Sequence, residues 1–428
     1  HRVVTDNHIG DWGTQFGKLL VGWKRSLNQE ALESDPIGEM ERLYKTVNRE
    51  CEDHPSVLES ARLELLKLQS GDAVNRSIWQ QMISLSQTQF DALYRRLGVR
   101  FDYTLGESFY NPQLKSIVAQ LSEAGLARES EGAMAVFFDD DPELKGHPAL
   151  IQKSDGAANY TTTDLATLQY RLETWQPDEI VYVTDGRQQL HFKQLFAIVR
   201  RWHPKARVKL VHVWFGAILG EDGKPFRTRD GETIKLADLL DEAESRAFQV
   251  VSEKNPELGE IERQEIARRV GLGAIKYADL LPNRQSDYVF GWDKMLALNG
   301  NTAPYLLYAY ARIRSIFRKL DSAPSTQSAS DQATDSEFKL SAPEEITLAK
   351  QLLNFGLVLE AVADEYRPNY LCNYLYELAG LFAGFYEHCP VLKAEGPERA
   401  TRLALCDLTS RVLKQGLDLL GIEVPEQM

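Results

Sequence analysis

The chain has 428 residues, of which 43% are hydrophobic and 26% are charged. A soluble globular chain of this length has enough residues for two or three hydrophobic cores, which excludes a small disulfide-stabilised scaffold. Its net charge of -13 argues against a protein that binds nucleic acid over its whole surface, because phosphate binding requires cations. Any nucleic-acid contact must therefore be confined to a local basic face.

The cysteines are widely spaced and form no Cys-x-x-Cys pair: Cys51, Cys372, Cys389 and Cys406. This spacing is typical of reduced thiols in a cytosolic protein rather than of a zinc site or a disulfide framework. No apolar run reaches the roughly 20 residues that a membrane-spanning helix needs. The sequence therefore predicts a cytoplasmic protein with neither a metal site nor a membrane partner.

The first 220 residues combine helical and strand patterns. Apolar side chains recur at helical spacing over residues 31–98, which predicts a helical insertion. The elements predicted after it are a strand over Ala133 to Phe138, a strand over Ile180 to Thr184, a helix over 188–202 and a strand over 208–215. The last three form a β-α-β unit. Residues just after Thr184 and Phe215 are then placed for chemistry, because α/β sheets bind ligands at the carboxyl ends of their strands.

The C-terminal part is predicted to be a helical bundle interrupted by a flexible segment. Residues 321–338 are rich in Ser, Ala, Thr, Gln and Asp and have too few apolar side chains to fold. Two basic stretches, His191 to Leu210 and Tyr305 to Leu320, contain no Asp or Glu. Each could simply be the solvated face of a helix. Tyrosines interleave with the second stretch and offer stacking surfaces, which favours nucleic acid there.

Three places carry candidate chemistry. In the first, Asp164 lies near the start of a helix, where it could be an ordinary cap or could bind a guanidinium through two parallel hydrogen bonds. Tyr160, one turn earlier, could cover the face of that guanidinium. Gln188 follows a predicted strand, where its amide could complete the recognition of an amino acid. Both readings of Asp164 remain open from the residues alone.

The second place is the glycine-bounded loop over residues 220–232, which contains Lys224, Arg227 and Arg229. These cations could stabilise charge on triphosphate oxygens and on a leaving pyrophosphate, or the loop could be an exposed hairpin. The third place spans residues 299–314. There Thr302 can cap a helix and Pro304 can occupy its first turn. The basic and aromatic side chains fit an RNA-facing or domain-joining helix, and the alternative is that the tyrosines pack in a core.

The segment Asn7 to Gly17 contains His8-Ile9-Gly10, which invites comparison with the His-Ile-Gly-His signature of class I synthetases. The fourth residue is Asp11, so the match fails. The segment instead resembles the part of arginyl-tRNA synthetases that follows this signature. Similar matches occur in the order of that family at Gly106 to Asn111, Tyr160 to Asp164, Arg187 to Phe192, Lys224 to Glu232, Lys276 to Leu280, Asn301 to Ile313 and Phe385 to Leu392.

The resemblance implies an incomplete class I Rossmann-type α/β catalytic domain over 1–300, with the helical insertion, and an all-α anticodon-binding domain over 301–428. It implies that arginine is activated with ATP and Mg²⁺ and is then transferred to tRNA(Arg) by a monomeric enzyme. The implied arginine-binding residues are Tyr160, Asp164 and Gln188. The implied ATP-region residues are His212, Phe215, Gly216 and Lys224, the implied catalytic residues are Lys224, Arg227 and Arg229, and the implied tRNA-binding residues are Tyr305, Tyr308, Arg312 and Arg314.

The same resemblance places the family's His-Ile-Gly-His helix upstream of His1. We therefore expect the full-length parent to be an active ligase and this chain alone to be inactive. The alternatives are a non-catalytic tRNA-binding paralogue and another class I enzyme such as the cysteinyl synthetase. The guanidinium set around Asp164 disfavours the first alternative, and the cysteine spacing, which offers no zinc site, disfavours the second.

Overall fold

The structure is a computed structural model, and it describes residues 1–220, 222–224, 234–321 and 339–428. It divides into two compact units. Unit 1 comprises His1–Val181 and Gln188–Val211, and unit 2 comprises Tyr182–Arg187 and His212–Met428. The division passes through both strands of the predicted β-α-β unit. Each unit is described by itself.

Unit 1 begins with a group of packed helices that accounts for the predicted insertion. They are α1 (Thr14–Ser26), α2 (Gln29–Ser34), α3 (Pro36–Asp53), α4 (Pro55–Ser70) and α5 (Ala73–Leu97). Asp35 precedes α3 and accepts a hydrogen bond from the Gly38 amide, so it caps that helix. Helices α1 and α4 approach closely at Gly17, where a Cβ would lie 2.2 Å from the carbonyl oxygen of Ala61. Only glycine fits this approach.

The remainder of unit 1 contains an antiparallel sheet and the helices that bear the candidate site. The elements are α6 (Glu107–Tyr110), α7 (Leu114–Glu123), β1 (Ala127–Ser130), β2 (Ala133–Val136), β3 (Ala149–Gln152), α8 (Tyr160–Thr174) and α9 (Gln189–Trp202). Strand β2 is central and pairs with both neighbours. The strand predicted from Ala133 is confirmed, although it ends two residues early. Its antiparallel partners were not predicted.

The predicted β-α-β unit is confirmed to within about one residue at each end. Strands β4 (Glu179–Asp185) and β5 (Lys209–Phe215) flank helix α9 and form a two-stranded sheet among the described residues. A short parallel pair, β6 (Ile218–Leu219) with β7 (Tyr288–Val289), lies in unit 2. This pair brings the segment after β5 against residues about 70 positions later in the chain.

The rest of unit 2 is helical. Its helices are α10 (Leu236–Lys254), α11 (Glu260–Leu280), α12 (Trp292–Met295), α13 (Ala303–Asp321), α14 (Pro343–Leu353), α15 (Phe355–Glu365), α16 (Asn369–His388) and α17 (Gly396–Leu419). All of them except α12 contribute to a large apolar core that includes Leu306, Leu375 and Leu413, all fully buried. The bundle predicted after Pro343 is therefore confirmed. The predicted flexible segment lies outside the described residues, apart from Asp321.

Within the bundle, a buried ion pair joins α14 to α17. The Arg402 guanidinium donates to Glu345 over 2.7 Å, and Glu345 is completely buried. The same carboxylate accepts from the backbone amides of Ser341 and Ala342. Burial raises the pKa of Glu345, but these hydrogen bonds and the Arg402 charge outweigh it and leave the pKa below its usual value. The carboxylate therefore remains ionised inside the core.

Among the described residues, Pro343–Glu365 is the stretch that is long and apolar enough to cross a membrane, with a mean hydropathy of 1.4. It is not one continuous helix, because α14 ends at Leu353 and α15 begins at Phe355. Each of these helices has 11 residues, well short of the roughly 20 that span a bilayer. Length and composition alone are weak evidence of a membrane span.

Candidate active site

The N-terminal segment of unit 1 runs alongside the segment that leads into α6. Asp6 forms a parallel bridge with Tyr103, and the Asn7 amide donates to the Tyr103 carbonyl over 3.0 Å. His8 donates from Nδ1 to the Leu105 carbonyl over 3.0 Å, because a carbonyl oxygen can only accept. Two of the segments that carry the family resemblance, which are about 100 residues apart in the chain, are thus neighbours.

Asp11 fixes the start of the short helix α6. Its side chain is 5% exposed and accepts from the Ser108 amide over 2.8 Å and from the Ser108 hydroxyl over 2.5 Å. A Cβ at Gly106 would lie 2.5 Å from this carboxylate, so no larger residue fits there. Asp11 therefore organises the backbone on either side of Glu107. Asp11 therefore has a structural role. It does not take the place of the second histidine of the His-Ile-Gly-His signature.

Glu107 is a half-buried carboxyl close to other acidic groups. Its pKa is raised from the usual value, mainly by burial and further by the negative charges of Asp164 and Asp11. The Trp12 amide donates to it and opposes part of this shift. A site that makes a carboxylate costly to ionise favours a cation as a ligand, because the cation restores the ionised form.

Asp164 lies in the second turn of α8, where it caps no backbone group. The N-cap of this helix is Asn159. Asp164 accepts a hydrogen bond on Oδ2 from Nε2 of His191 over 2.6 Å, and Nε2 of His8 lies 3.8 Å from Oδ1. The simple capping interpretation of Asp164 is therefore wrong. The structure instead makes this side chain, which is 19% exposed, the centre of a polar group in unit 1.

Tyr160 joins this group through His191, since the two ring centroids are 4.8 Å apart in an edge-on arrangement. Its own side chain is exposed, as a residue that covers a ligand requires. Gln188 is exposed at the residue that precedes α9, one turn before His191. Among the described residues it makes no hydrogen bond to Tyr160 or Asp164. Its recognition of an amino acid remains a prediction.

A buried ion pair fixes the position of helix α8 in unit 1. The Arg171 guanidinium donates to Asp6 over 2.8 Å, and the two side chains are only 8% and 5% exposed. This buried pair ties the helix that carries Tyr160 and Asp164 to the segment that carries His8. Such a buried contact helps to keep the polar side chains around Asp164 in a fixed arrangement.

The residues predicted for the ATP region lie within unit 2: His212 and Phe215 are in β5, and Gly216 and Lys224 follow it. Nε2 of His212 lies 2.7 Å from the hydroxyl of Thr184, so these two side chains form a polar contact between the strands. Gly216 packs against backbone, because a Cβ there would lie 2.6 Å from the Ser286 carbonyl. Phe215 is 42% exposed. A flat, exposed ring beside a side-chain-free backbone provides a surface on which a nucleobase can stack.

Arg284 fastens this region to the helices of unit 2. Its Nη1 donates to the Trp214 carbonyl over 2.6 Å, and its Nε donates to the Tyr366 carbonyl over 2.8 Å. Burial lowers the pKa of Arg284, and the charge of Arg367 adds to this effect. Neither its position nor its role was predicted from the sequence.

The basic loop is described only at Lys224, which is exposed and whose carbonyl accepts from the Gly220 amide over 2.8 Å. Arg227 and Arg229 lie outside the described residues. In the part of the chain that the structure describes, no group of three His, Cys, Asp or Glu side chains could hold a metal ion.

The predicted RNA-facing helix is α13, whose start is as expected, since the Thr302 hydroxyl accepts from the Tyr305 amide over 3.3 Å. Tyr308 is 45% exposed, and the exposed Arg312 lies over the Tyr386 ring. The other two candidates are engaged within the chain. Tyr305 packs 5.5 Å from Tyr376, and Arg314 pairs with Glu426 over 3.2 Å.

Sequence reasoning missed three members of the polar group: His8, Glu107 and His191. Each lies inside a quoted motif, but spacing gave no sign that these motifs meet. Helical spacing was enough to place Tyr160 and Asp164 on one face of α8. It could not have identified the imidazole that contacts both, because that residue is on another helix.

Two protein families match this chain. Residues 1–292 match the family described as "tRNA synthetases class I (R), catalytic domain", and residues 306–428 match the "DALR anticodon binding domain". The first match covers more than half of the chain, and the second begins within α13.

Individual relatives agree with these matches. "Arginine--tRNA ligase" of Escherichia coli O1:K1 / APEC is 47% identical over 441 residues, which cover 100% of this chain and 74% of the relative. The protein of the same name from Shigella boydii serotype 18 is 47% identical over 435 residues, with the same shares covered. This chain thus spans about three quarters of the length of both relatives.

Solved structures show the same fold. The arginyl-tRNA synthetase of Plasmodium falciparum is 30% identical with a TM-score of 0.81, and the match covers 99% of this chain and 70% of that one. The Thermus thermophilus enzyme is 25% identical with a TM-score of 0.83, covering 100% and 76%.

A catalytic domain of this kind followed by a helical anticodon-binding domain defines a class I aminoacyl-tRNA synthetase, a soluble ATP-using enzyme of translation. The chain belongs to the arginyl-tRNA synthetase family. Its function is that of an arginine-tRNA ligase. The resemblance drawn from the sequence motifs is therefore confirmed, and the cysteinyl alternative is wrong.

Proposed function

We propose that the polar group of unit 1 is the site that binds the side chain of L-arginine. Asp164 accepts two guanidinium N–H groups, Tyr160 covers the planar face of the guanidinium, and Gln188 binds a further polar atom of the amino acid. Planar, bidentate pairing is the strongest way in which a carboxylate binds a guanidinium. Glu107 adds a second negative charge near the first.

The observation that carries this proposal is the polar group around Asp164, whose carboxylate accepts from His191 over 2.6 Å and lies one helical turn from the exposed Tyr160. Burial raises the pKa of Glu107, and the negative charge of Asp164 raises it further, so ionising Glu107 without a bound cation is costly. A permanently charged guanidinium removes both penalties. A neutral amino acid of the same size would remove neither, so the arrangement favours arginine on electrostatic grounds.

We propose that ATP binds beside His212, Phe215 and Gly216, and that Mg²⁺ accompanies it. When bound, Mg²⁺ neutralises phosphate charge, and it is commonly held by substrate phosphates and water rather than by a protein cage. Lys224, with Arg227 and Arg229, would stabilise charge on the departing pyrophosphate.

The reaction then has two steps. The arginine carboxylate attacks the α-phosphate of ATP, which forms arginyl-adenylate and releases pyrophosphate. A hydroxyl of the terminal adenosine of tRNA(Arg) next attacks the arginyl carbonyl, and AMP leaves. Exposed groups on α13, Tyr308 and Arg312, would contact the RNA by stacking and by charge. We further propose that the protein acts as a monomer in the cytoplasm.

The test separates binding from chemistry. Calorimetric titration should detect L-arginine binding that Asp164→Asn abolishes and that Glu173→Gln, an exposed change on the same helix, leaves intact. Pyrophosphate exchange and tRNA charging, both measured with tRNA(Arg) present, then report on the chemistry. A chain that binds tRNA(Arg) but shows no Asp164-dependent arginine binding would instead be the non-catalytic tRNA-binding alternative.

A further inference from the structure

His191 contacts both side chains that are proposed to recognise the guanidinium. Its Nε2 is 2.6 Å from Oδ2 of Asp164, and its ring centroid is 4.8 Å from that of Tyr160. His191 is 8% exposed, whereas Tyr160 is 58% exposed. One buried imidazole therefore supports two groups that lie nearer to solvent.

The hydrogen-bond partner of the His191 ring shows which of its two nitrogens carries the hydrogen. An ionised carboxylate only accepts hydrogen bonds, so Nε2 carries the hydrogen. The other nitrogen, Nδ1, is buried and has no hydrogen-bond partner among the described residues. Buried polar atoms are usually paired, and exceptions call for an explanation. Asp164 is thus the hydrogen-bond partner that orients the ring, and the ring in turn orients Asp164.

The two oxygens of Asp164 differ in their surroundings. Oδ2 is occupied by His191, while Oδ1 accepts no hydrogen bond among the described residues. Nε2 of His8 lies 3.8 Å from Oδ1, which is beyond hydrogen-bond distance. His8 is itself held by the Leu105 carbonyl through Nδ1. Oδ1 therefore has both lone pairs available to a guanidinium, whereas Oδ2 has one left beside its bond to His191.

We propose that His191 is a positioning residue for arginine recognition. Its hydrogen bond to Oδ2 fixes the plane of the Asp164 carboxylate so that Oδ1 can accept from a guanidinium, and its ring supports Tyr160. This inference rests on the proposed arginine site and adds the residue that holds that site in shape. His191 does not touch the substrate.

Two substitutions separate its two contacts. His191→Phe keeps an aromatic ring for Tyr160 and removes the donor to Asp164, and His191→Gln keeps an N–H donor and removes the ring. His203→Gln is the matched control, because His203 is a partly buried histidine just after the same helix. The ligands are L-arginine and L-citrulline, which replaces the charged guanidinium by a neutral urea group. Calorimetry measures both affinities.

We expect His191→Phe to weaken arginine binding about tenfold and to change citrulline binding much less. Without the His191 hydrogen bond, the Asp164 carboxylate is no longer oriented to pair with a charged, planar guanidinium. His191→Gln should recover most of the arginine affinity, and the control should match the unmodified chain. Unchanged arginine binding in His191→Phe would overturn the proposal. Equal losses for the two ligands would also overturn it, since they would indicate a general structural defect.

Failure of this inference can be told apart from failure of the arginine site. If Asp164→Asn leaves arginine binding unchanged, the site itself is wrong and the inference falls with it. If Asp164→Asn abolishes binding and His191→Phe does not weaken it, only the inference falls. NMR of the His191 ring gives a test without ligand: we expect the Nε2–H tautomer, and the Nδ1–H tautomer would overturn the proposal.

Discussion

Asp11 and Ser108 are 97 residues apart in the chain and joined by two hydrogen bonds to one carboxylate. We expect Asp11→Ala to destabilise the start of α6 by about 1–3 kcal/mol, because the partly buried Ser108 amide loses its acceptor. Asp11→Asn retains one acceptor and should cost less. Hydrogen exchange of the Ser108 amide measures the effect, and unaltered protection in Asp11→Ala would contradict this role.

Glu107 predicts a specific pH dependence of stability. Its pKa is raised above the ordinary 4.5, so the folded chain retains a proton that the unfolded chain has lost. Its contribution to stability is full below the ordinary value and is lost as the pH rises through the raised pKa. Glu107→Gln should therefore reduce the loss of stability between pH 4.5 and neutrality.

Denaturant midpoints for unmodified chain and Glu107→Gln, measured over this pH range, test the expectation. Glu123→Gln, at an exposed position at the end of α7, serves as the control and should leave the profile unchanged. Identical pH profiles for Glu107→Gln and the unmodified chain would show that Glu107 is not the group responsible.

Arginine should favour the ionised form of Glu107, since a guanidinium opposes the repulsion from Asp164. Binding at a pH near the raised pKa should therefore release protons. Titration in two buffers with different ionisation enthalpies measures the number released. The release should disappear in Glu107→Gln, and its persistence there would assign it to another group.

Arg284 should be important for the stability of unit 2. Arg284→Lys leaves a single ammonium that cannot reach both the Trp214 and Tyr366 carbonyls in the geometry of a guanidinium. We expect a loss of about 1–3 kcal/mol, as for hydrogen bonds to charged groups. Thermal melting measures it against Arg411→Lys, an exposed arginine on α17. Equal melting temperatures would contradict the expectation.

On α13, the exposed candidates should affect tRNA binding differently from the engaged one. Arg312→Ala should weaken binding of tRNA(Arg). It should also reduce the slope of log binding constant against log salt concentration by about one, because one phosphate contact is lost. Tyr308→Ala should weaken binding with little change in salt dependence. Filter binding at several salt concentrations measures both, with Arg411→Ala as the control. A salt dependence unchanged by Arg312→Ala would remove Arg312 from the interface.

Arg314 provides a contrast on the same helix. Its pairing with Glu426, which also accepts from Tyr310 over 3.1 Å, means that Arg314→Ala should lower stability as well as any affinity for RNA. The sequence placed Arg312 and Arg314 in one basic stretch and gave no means of separating them. The tertiary position of Glu426, more than 100 residues later, makes the difference.

Local pattern by itself determined much of this protein. The strands around Ile180 and Val213 and the helix between them were predictable, because apolar runs and helical periodicity are properties of neighbouring residues. The motif order was enough to identify the family, and Tyr160 and Asp164 share a helix face by spacing alone. The capping alternative for Asp164 could not be removed at that stage.

Only the tertiary structure decided how the site is assembled. His191, Glu107 and His8 reach Asp164 from three other parts of the chain, and Asp11 and Arg284 act on backbone groups distant in sequence. Hydrogen bonds and charge interactions of this kind depend on distances between side chains across space. Residue spacing along the chain specifies secondary structure, whereas these distances are set by how the elements pack.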